Sequence, residues 1–194
     1  MARRKRRNPK PLSNKAKIAL ALAVGIGLTF LARSAIAAIS GVDLISKMSP
    51  KWRAKVTPSR QASLEVIQEV FADAGLNERV IAAAIANSWV ESGWNPNAVG
   101  DDGHSIGLFQ LNDWGAGSGL SVEFRKDPRN NAKTILEREV LAKRGLTLRT
   151  RAEEGAGVGE LAAIFSRDIE RPANVEGNMA IRKALAEDMF PSLA

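Results

Sequence analysis

Residues 57–190 carry regular start and stop signals for helices, and these signals constrain the fold of the chain more than any other feature. Thr57-Pro58 is a typical helix start and Gly75 a typical stop, with apolar residues between them at helical spacing. Strand signals are few, and a short extended piece around 106–111 is the only candidate. The sequence therefore predicts a mainly α fold with at most a short β-hairpin. The other predicted helices cover 78–90, 127–144 with Gly145 as its stop, 158–170, and 176–190 with Ile181, Leu185 and Met189 directed to the core.

The first 39 residues differ in composition from the rest of the chain. Residues 1–17 contain eight Lys or Arg and no acid, and residues 18–39 are almost uncharged apart from Arg33. Roughly 20 apolar residues are enough for a helix to span a bilayer. Because the positive charge flanks only the N-terminal side, the sequence predicts a basic cytoplasmic tail over 1–17 and one hydrophobic transmembrane helix over 18–39. The chain would then be a single-pass membrane protein with its C-terminal part outside.

A cleaved signal peptide is the alternative for the same segment. Ala35-Ile36-Ala37 resembles the small-residue exit at which signal peptides are removed, and the remaining chain would then be secreted. Both interpretations place residues 40–194 across a membrane. Residues 40–58, with two prolines and little periodicity, are predicted to be a linker, and residues 59–194 a single folded domain.

Charge and composition exclude several classes of protein. The formal net charge is +7, but residues 18–194 hold 20 basic against 21 acidic residues, so the basic excess belongs to the tail. A nucleic-acid-binding groove is therefore not predicted. The chain has no cysteine and one histidine, His104, which excludes disulfides and zinc sites built from thiolates or histidine pairs. No cofactor and no metal site is predicted, and His104 is expected at the surface or at the rim of a site.

The stretch WVESGWNPNAVGDDGHSIGLFQLN, residues 89–112, holds the main candidate for chemistry. Glu91 lies at the end of the helix predicted over 78–90, directly after Trp89 and Val90. A carboxyl group beside apolar and aromatic side chains can retain its proton and act as a general acid. A glutamate that simply points into water at a helix end is the alternative.

The same stretch resembles the signature of the lytic transglycosylases of the soluble-transglycosylase type, which are related to goose-type lysozyme. That signature reads E-S-x-x-N-P-x-A, a variable loop, and then G-[LIM]-[MF]-Q. Its first half is matched by Glu91, Ser92, Asn95, Pro96 and Ala98, and its second half by Gly107, Leu108, Phe109 and Gln110. The resemblance implies a lysozyme-like fold for residues 59–194, with the glycan strands of peptidoglycan as the substrate.

By this resemblance Glu91 is the catalytic acid and base, Ser92 supports it, and Gln110 lines the sugar cleft. The residue types agree with such roles, since glycine at position 107 lets the backbone approach a sugar ring and amide side chains offer both donors and acceptors. Phe109 could form a wall of the cleft. The predicted substrate-binding residues are Ser92, Ser105, Gly107, Phe109, Gln110, Asn112 and Glu170.

A second resemblance concerns the segment LAAIFSRDIERPAN, residues 161–174. It is similar to the F-x-x-x-[FWI]-E-R-P segment of many phage wall-degrading enzymes, which implies that Glu170 and Arg171 border the site and that the chain comes from a phage or a phage particle. An ion pair that closes a helix is the alternative for these two residues. The Ala-Tyr-Asn motif of many lytic transglycosylases has no counterpart, because the chain contains no tyrosine.

The resemblance implies a cleavage that needs only one carboxyl group. The glutamate protonates the oxygen between N-acetylmuramic acid and N-acetylglucosamine, and then accepts the proton of the muramyl 6-hydroxyl as a 1,6-anhydro ring closes without water. A hydrolytic muramidase is the first alternative, with Asp101 and Asp102 as candidate second carboxylates. A non-catalytic wall-binding membrane protein is the second. The predicted partners are peptidoglycan and, through residues 18–39, a lipid membrane, either the cell membrane with the domain on the cell-wall side or a viral membrane.

Overall fold

The computed structural model describes residues 43–194, which are mainly helical and carry one small sheet. This confirms the predicted fold class for the described residues. The helices are α1 (Leu44–Lys47), α2 (Pro50–Arg53), α3 (Pro58–Asp73), α4 (Glu78–Ser92), α5 (Val122–Lys126), α6 (Pro128–Ile135), α7 (Leu146–Glu153), α8 (Val158–Phe165) and α9 (Val175–Met189). Short 3-10 helices cover Asp101–Gly103, Lys143–Gly145 and Pro191–Leu193, and π-helical turns follow α6 and α8 over Leu136–Val140 and Ser166–Glu170.

Local capping residues determine the limits of α3 and α4. The side chains of Thr57 and Asn77 each accept a hydrogen bond from a backbone N–H in the first turn of α3 and α4, respectively. α4 ends at Gly93, whose φ of 62° lies in the left-handed region that glycine adopts without strain. Glu91 therefore occupies the last turn of α4, close to the end that was predicted from the sequence.

α4 is the central helix of the described residues. Every residue from Val80 to Ser88 is buried, and the helix packs against α3, α8 and α9. Four of the residues in this range are alanines, whose short side chains let the neighbouring helices approach closely. Trp94, directly beyond the helix, is fully buried, and its indole N–H donates to the carbonyl of Ile85 at 2.9 Å. A buried indole with its N–H paired holds the end of α4 in a defined position.

Residues 40–58, predicted to be a linker, include two helices that contribute to the core. α1 and α2 bury Leu44, Met48 and Trp52, and the Trp52 indole donates to Oδ2 of Asp188 on α9 at 2.6 Å. Each helix has only four residues, which is too short for a helical period to be visible in the sequence. Their stability comes from packing, because isolated helices of this length do not form in water. The folded domain therefore begins before residue 59.

The basic tail over 1–17 and the hydrophobic helix predicted over 18–39 lie outside the described residues. Within residues 43–194, no helix is both long enough and apolar enough to cross a bilayer. The transmembrane prediction for 18–39 therefore stays a prediction.

The sheet consists of three antiparallel two-residue strands, β1 (Val99–Gly100), β2 (Ser105–Ile106) and β3 (Leu111–Asn112). In its register Ile106 pairs with Val99 on one side and with Leu111 on the other. The hairpin of β2 and β3 confirms the predicted short hairpin, and β1 adds a third strand. Residues 107–110 form the turn of this hairpin rather than the middle of an extended piece.

The helix predicted over 127–144 is shorter than expected. α6 and its π-helical turn end at Val140, and α7, which the sequence did not reveal, begins at Leu146. Gly145 does not stop a helix, because it lies against the preceding turn, where a Cβ atom would be 1.9 Å from the Val140 carbonyl oxygen. A glycine that permits close packing and a glycine that ends a helix look the same in a sequence.

Candidate active site

Glu91 extends from the last turn of α4, and its side chain is 21% exposed. Its Oε1 accepts a hydrogen bond of 2.5 Å from Nη2 of Arg182 on α9. The Arg182 side chain is only 4% exposed, and its Nη1 donates to the backbone carbonyl of Asn87, also on α4, at 2.8 Å. The buried guanidinium group thus binds both the Glu91 carboxylate and the backbone of the same helix, which fixes the position of the Glu91 side chain.

Glu170 is the second carboxyl group of this cluster. It lies in the π-helical turn after α8, with Oε2 3.1 Å from Nη2 of Arg182, and its side chain is 8% exposed. One guanidinium nitrogen therefore lies between the carboxyl groups of Glu91 and Glu170. Both Glu170 oxygens are buried, and neither accepts a well-directed hydrogen bond from the rest of residues 43–194.

The pKa of Glu170 is raised well above its usual range. Burial is the main cause, because a carboxylate loses its hydration there, and the negative charge of Glu91 adds to the effect. The positive charge of Arg182 opposes the rise, and a hydrogen bond that the protonated Glu170 can donate to Glu91 adds a smaller contribution to it. Glu170 therefore retains its proton at pH values at which an ordinary glutamate is ionised.

Ser92 joins the end of α4 to the turn over 107–110. Its Oγ lies 3.0 Å from the carbonyl oxygen of Ser88 on the helix and 2.9 Å from that of Leu108 in the turn. The hydroxyl group can donate its one proton to either oxygen. Ser92 thus connects the turn to the part of the helix that carries Glu91, which is a supporting position of the kind predicted.

Gly107 and Asn131 shape the turn itself. Gly107 has a φ of 85°, and a Cβ atom there would be 2.3 Å from Nδ2 of Asn131. Asn131 is fully buried; its Nδ2 donates to the carbonyls of Ile106 and Arg125, and its Oδ1 accepts from the backbone N–H of Phe109. The glycine is therefore required by this buried amide of Asn131, a residue that no motif in the sequence indicated.

Phe109 and Gln110 lie at the end of the turn. The Phe109 ring is 4% exposed and lies between Phe71 and Phe165, with each ring centroid 6.1 Å away, so it belongs to the core. Gln110 donates through Nε2 to the carbonyls of Gly107 at 3.0 Å and of Ala98 at 3.3 Å. Its amide nitrogen thus holds the loop together, and the sugar-lining roles of both residues stay predictions.

Ser105 and Asn112 form a network across β2 and β3. Ser105 donates to Oδ2 of Asp101 at 2.5 Å and accepts a hydrogen bond of 3.1 Å from Nδ2 of Asn112. Asp101 and Asp102 are exposed and both have positive φ angles, so they belong to a tight turn of the hairpin region. Within residues 43–194, no group of three or more His, Asp or Glu side chains could hold a metal ion.

Residues 62–193 match the family model described as phage tail lysozyme. The chain belongs to the phage tail lysozyme family. The matched range contains the acid cluster, the hairpin and every other predicted site residue. No curated protein and no solved structure matches the chain significantly. The family confirms the lysozyme-like, peptidoglycan-directed function and the phage setting implied by the sequence.

The single histidine of this phage tail lysozyme domain has partners that its sequence did not reveal. His104 Nδ1 lies 3.1 Å from Oδ2 of Asp113, and the imidazole ring stacks on Trp114 with ring centroids 4.1 Å apart. Trp114 itself is largely exposed. The histidine therefore lies at the surface, as predicted.

Arg182 is a further residue of the candidate site that the sequence did not indicate. Of the three residues of α9 predicted to face the core, Met189 is buried and Leu185 packs against the core, but Ile181 is 57% exposed. The buried face is rotated by one residue and consists of Arg182, Ala186 and Met189. The signal in the sequence was an arginine followed by apolar residues at i+4 and i+7.

Proposed function

We propose that this phage tail lysozyme is a peptidoglycan lytic transglycosylase with Glu91 as its acid and base. The observation that carries the proposal is the state of the second carboxyl group beside Glu91. Both carboxyl oxygens of Glu170 are buried, so neither can attack a sugar or activate a water molecule in the cleft. Hydrolytic glycosidases usually need a second carboxylate to attack the sugar or to activate water. A cluster whose second carboxyl group is out of reach of the substrate supports the chemistry that uses a single glutamate.

The positions of Asp101 and Asp102 support the same proposal. They were the candidate second carboxylates for a hydrolase, and both lie in the exposed turn before β2. Asp101 accepts the hydrogen bond of Ser105, so its carboxylate takes part in the network of the hairpin. Glu170 and Arg182 are the charged side chains that contact Glu91 among the described residues.

The proposed reaction transfers one proton in each direction. The reaction starts from the form of the enzyme in which Glu91 carries a proton. Glu91 donates this proton to the glycosidic oxygen between N-acetylmuramic acid and N-acetylglucosamine, and the bond from that oxygen to the muramyl C1 breaks. The muramyl 6-hydroxyl then attacks C1, and its proton passes to the Glu91 carboxylate. The 1,6-anhydro ring closes, Glu91 recovers its proton, and no water is consumed.

Arg182 and Glu170 have distinct roles in this cycle. Glu91 becomes negatively charged once it has protonated the leaving oxygen, and the guanidinium group of Arg182, 2.5 Å from Oε1, stabilises that charge. The raised pKa of Glu170 favours its neutral form, which leaves the positive charge of Arg182 to the Glu91 carboxylate. Arg182 is thus a positioning residue that acts through Glu91.

The substrate would bind along the turn and hairpin next to Glu91. Ser92 connects this turn to α4, and Asn131 fixes its backbone, so that the loop is held rigidly beside the acid. We propose that the glycan strand lies against this surface, where Gln110 and Asn112 are partly exposed, and that the buried Ser105, Gly107 and Phe109 support these two residues from within.

The hydrophobic segment over 18–39 would tether the enzyme to a membrane and keep the domain close to the wall. The run of apolar residues behind a basic tail supports this part of the proposal. The intact mass of the chain recovered from membranes after alkaline extraction tests it. A full-length mass in the membrane fraction is expected, whereas a mass that begins after residue 37 would indicate a cleaved signal peptide.

Mass spectrometry of digested peptidoglycan tests the proposed reaction. The full-length chain is incubated with purified peptidoglycan beside Glu91→Gln, and beside Glu137→Gln as a control at an exposed glutamate. We expect 1,6-anhydromuramyl products from the wild type and from Glu137→Gln, and none from Glu91→Gln. A positioned acid contributes about 10²–10⁴-fold to such a rate, so the loss should be nearly complete.

Two outcomes would contradict the proposal. Reducing muramyl ends in place of anhydro ends would establish a hydrolase and turn attention to Glu170 as the second carboxyl group. The second outcome is that a wild-type chain, shown to be folded by its thermal unfolding, releases no fragments. This result would indicate a wall-binding protein without catalytic activity.

A further inference from the structure

A cavity of about 380 Å³ opens to solvent beside the π-helical turn that follows α8. Its lining contains three guanidinium groups and one carboxylate. The lining residues are Arg144, Thr147, Arg167, Asp168 and Arg171. The π-helical turn over Ser166–Glu170 carries two of these lining residues, and Glu170 of the acid cluster is its last residue. We refer to the cavity as the arginine pocket.

Carboxylates behind the arginine pocket hold its cations in place. Arg171 Nη2 lies 3.3 Å from Oε1 of Glu139, and Arg144 Nη1 lies 3.7 Å from Oε2 of the same side chain. Arg167 makes two contacts of 2.6 and 2.8 Å with Asp168. An arginine carries five N–H donors, so each of the three retains donors that a ligand in the cavity can use.

The charge balance of the arginine pocket favours an anion. Three guanidinium groups face two carboxylates, and one of these, Glu139, is buried. Burial raises the pKa of Glu139, and the positive charge of Arg144 opposes this rise only in part. The pocket is therefore positive, and its planar, forked donors match the geometry of a carboxylate.

Arg171 adopts a conformation that is unfavourable for a residue with a Cβ atom. Its φ and ψ are both 56°, in the left-handed region, and its backbone N–H closes the π-helical turn by donating to the carbonyl of Ser166. Glycine would meet the same backbone requirement without strain. An arginine at such a position indicates that its side chain has a function.

We propose that the arginine pocket binds carboxylates of the peptide stem of peptidoglycan. This inference rests on the proposed function, because it assumes that the muramyl sugar binds beside Glu91. The stem is attached to that same sugar, and its carboxylates therefore lie within a few residues of the bond that is cleaved. The arginine pocket and Glu170 share one π-helical turn, so a stem that leaves the sugar beside Glu91 has this turn as its neighbour in the proposed complex. The pocket would select glycan strands that still carry stems.

Binding to two forms of the same glycan tests the inference. The full-length chain, with Glu91→Gln to prevent turnover, is sedimented with peptide-bearing glycan strands and with strands from which an amidase has removed the stems. The double variant Arg144→Gln with Arg167→Gln, called the pocket variant, removes two positive charges from the arginine pocket. Arg53→Gln with Arg129→Gln removes the same charge from exposed arginines that do not line the cavity.

The pocket variant should bind peptide-bearing strands about fivefold more weakly, since each partly exposed ion pair contributes about 0.5 kcal/mol. Its affinity for stripped strands, and the affinity of the control variant for both, should be unchanged. Arg144→Gln alone, at a half-exposed side chain, repeats the test should the double variant unfold. Equal binding by the pocket and control variants, or an equal loss on both forms of glycan, would overturn the inference.

Failure of this inference is distinguishable from failure of the proposed function. If the wild type releases anhydro products but the pocket variant binds peptide-bearing strands normally, only the assignment of the arginine pocket as a stem-binding site is wrong. If the wild type releases nothing but the pocket variant still loses affinity for peptide-bearing strands, the pocket stands and the transglycosylase assignment falls.

Discussion

Arg182 is the residue on which the electrostatics of the candidate site depend. Its guanidinium group lies 2.5 Å from Oε1 of Glu91 and 3.1 Å from Oε2 of Glu170, and all three side chains are largely buried. An exposed ion pair of this kind would contribute little, but a buried carboxylate without a cation is strongly unfavourable. In the proposed reaction, Arg182 therefore stabilises the carboxylate that forms when Glu91 gives up its proton.

The raised pKa of Glu170 leads to a prediction about stability and pH. Because the pKa is higher in the folded chain than the usual value of 4.5, folding favours the protonated form. The stabilising contribution is full below about pH 4.5 and is lost as the pH rises through the folded pKa. Glu170→Gln is neutral at every pH, so its melting temperature relative to the wild type should increase with pH. Thermal unfolding from about pH 4 to about pH 9 measures this.

Glu137→Gln is the control for this series, because Glu137 is exposed and paired with Lys133 one turn away. Its melting temperature relative to the wild type should vary little with pH. A difference between Glu170→Gln and the wild type that stays constant with pH would show that Glu170 ionises alike in the folded and unfolded chain.

At the scale of single residues, positions that depend on neighbouring residues were predictable from the sequence, whereas contacts between residues far apart in the chain were not. Glu91 lies within a continuous signature and just before a helix-ending glycine, so its position was predictable. Arg182 is 91 residues away along the chain, and its contact with Glu91 depends on the rotation of α9 about its axis. Ile181 is the more apolar of two adjacent residues, but the packing of α9 on α4 and α8 buries Arg182 instead.

At the scale of elements, the turn between β2 and β3 connects the sheet to the helices. Ser92 on α4 contacts its Leu108 carbonyl, and Asn131 on α6 binds the backbone on both sides of Gly107. A two-residue strand has little stability of its own. The hairpin therefore depends on these side chains from the two helices for its conformation.

Two glycines with positive φ allow the free-energy cost of backbone strain to be distinguished from the cost of close packing in this region. Gly107 has a φ of 85° and no space for a Cβ atom, whereas Gly103 has a φ of 99° and nothing within 4 Å. Gly103→Ala should cost about 1–2 kcal/mol from the backbone alone. Gly107→Ala should cost about 1–3 kcal/mol more, because the methyl group displaces the buried Asn131 amide. Urea unfolding of the two variants measures both costs, and equal losses would show that Asn131 moves aside freely.

Elements were predictable where a cap or a stop residue decides their limits. The ends of α3 and α4 follow Thr57, Asn77 and Gly93, which act through local hydrogen bonds and φ angles. The end of α6 has no such residue, since the chain passes into a π-helical turn over Leu136–Val140. The change from α-helical to π-helical hydrogen bonding does not interrupt the spacing of apolar residues, so the sequence does not indicate it.

At the scale of the described domain, the segment before α3 joins the last helix to the end of α4. The Ser49 N–H donates to the Met189 carbonyl at 2.9 Å, and the Trp52 indole N–H bonds to Asp188, both at the end of α9. The Trp52 ring packs edge-on against Trp89, with centroids 5.2 Å apart, close to Glu91. α1 and α2 thus stabilise the two helices that supply Glu91 and Arg182.

Two truncated chains test whether α1 and α2 are part of the folded unit. Removal of residues 1–42 should leave the melting temperature of the domain unchanged, because the core contacts of Leu44, Met48 and Trp52 are retained. Removal of residues 1–57 exposes the surface that these three side chains cover. Each buried apolar side chain contributes about 2 kcal/mol, and about 1 kcal/mol corresponds to 2–4 °C in a domain of this size, so the loss should exceed about 10 °C.

Circular dichroism melts of both chains measure the difference, and release of fragments from peptidoglycan shows whether the site survives. Trp52→Ala in the full-length chain serves as the matched control, since it removes the largest of the three side chains without shortening the chain; it should cost about 3–5 kcal/mol. Equal melting temperatures for the two truncated chains would place the start of the stable domain at α3. A loss confined to the shorter chain and to Trp52→Ala, accompanied by lower activity, would show that the first two helices support the geometry of Glu91.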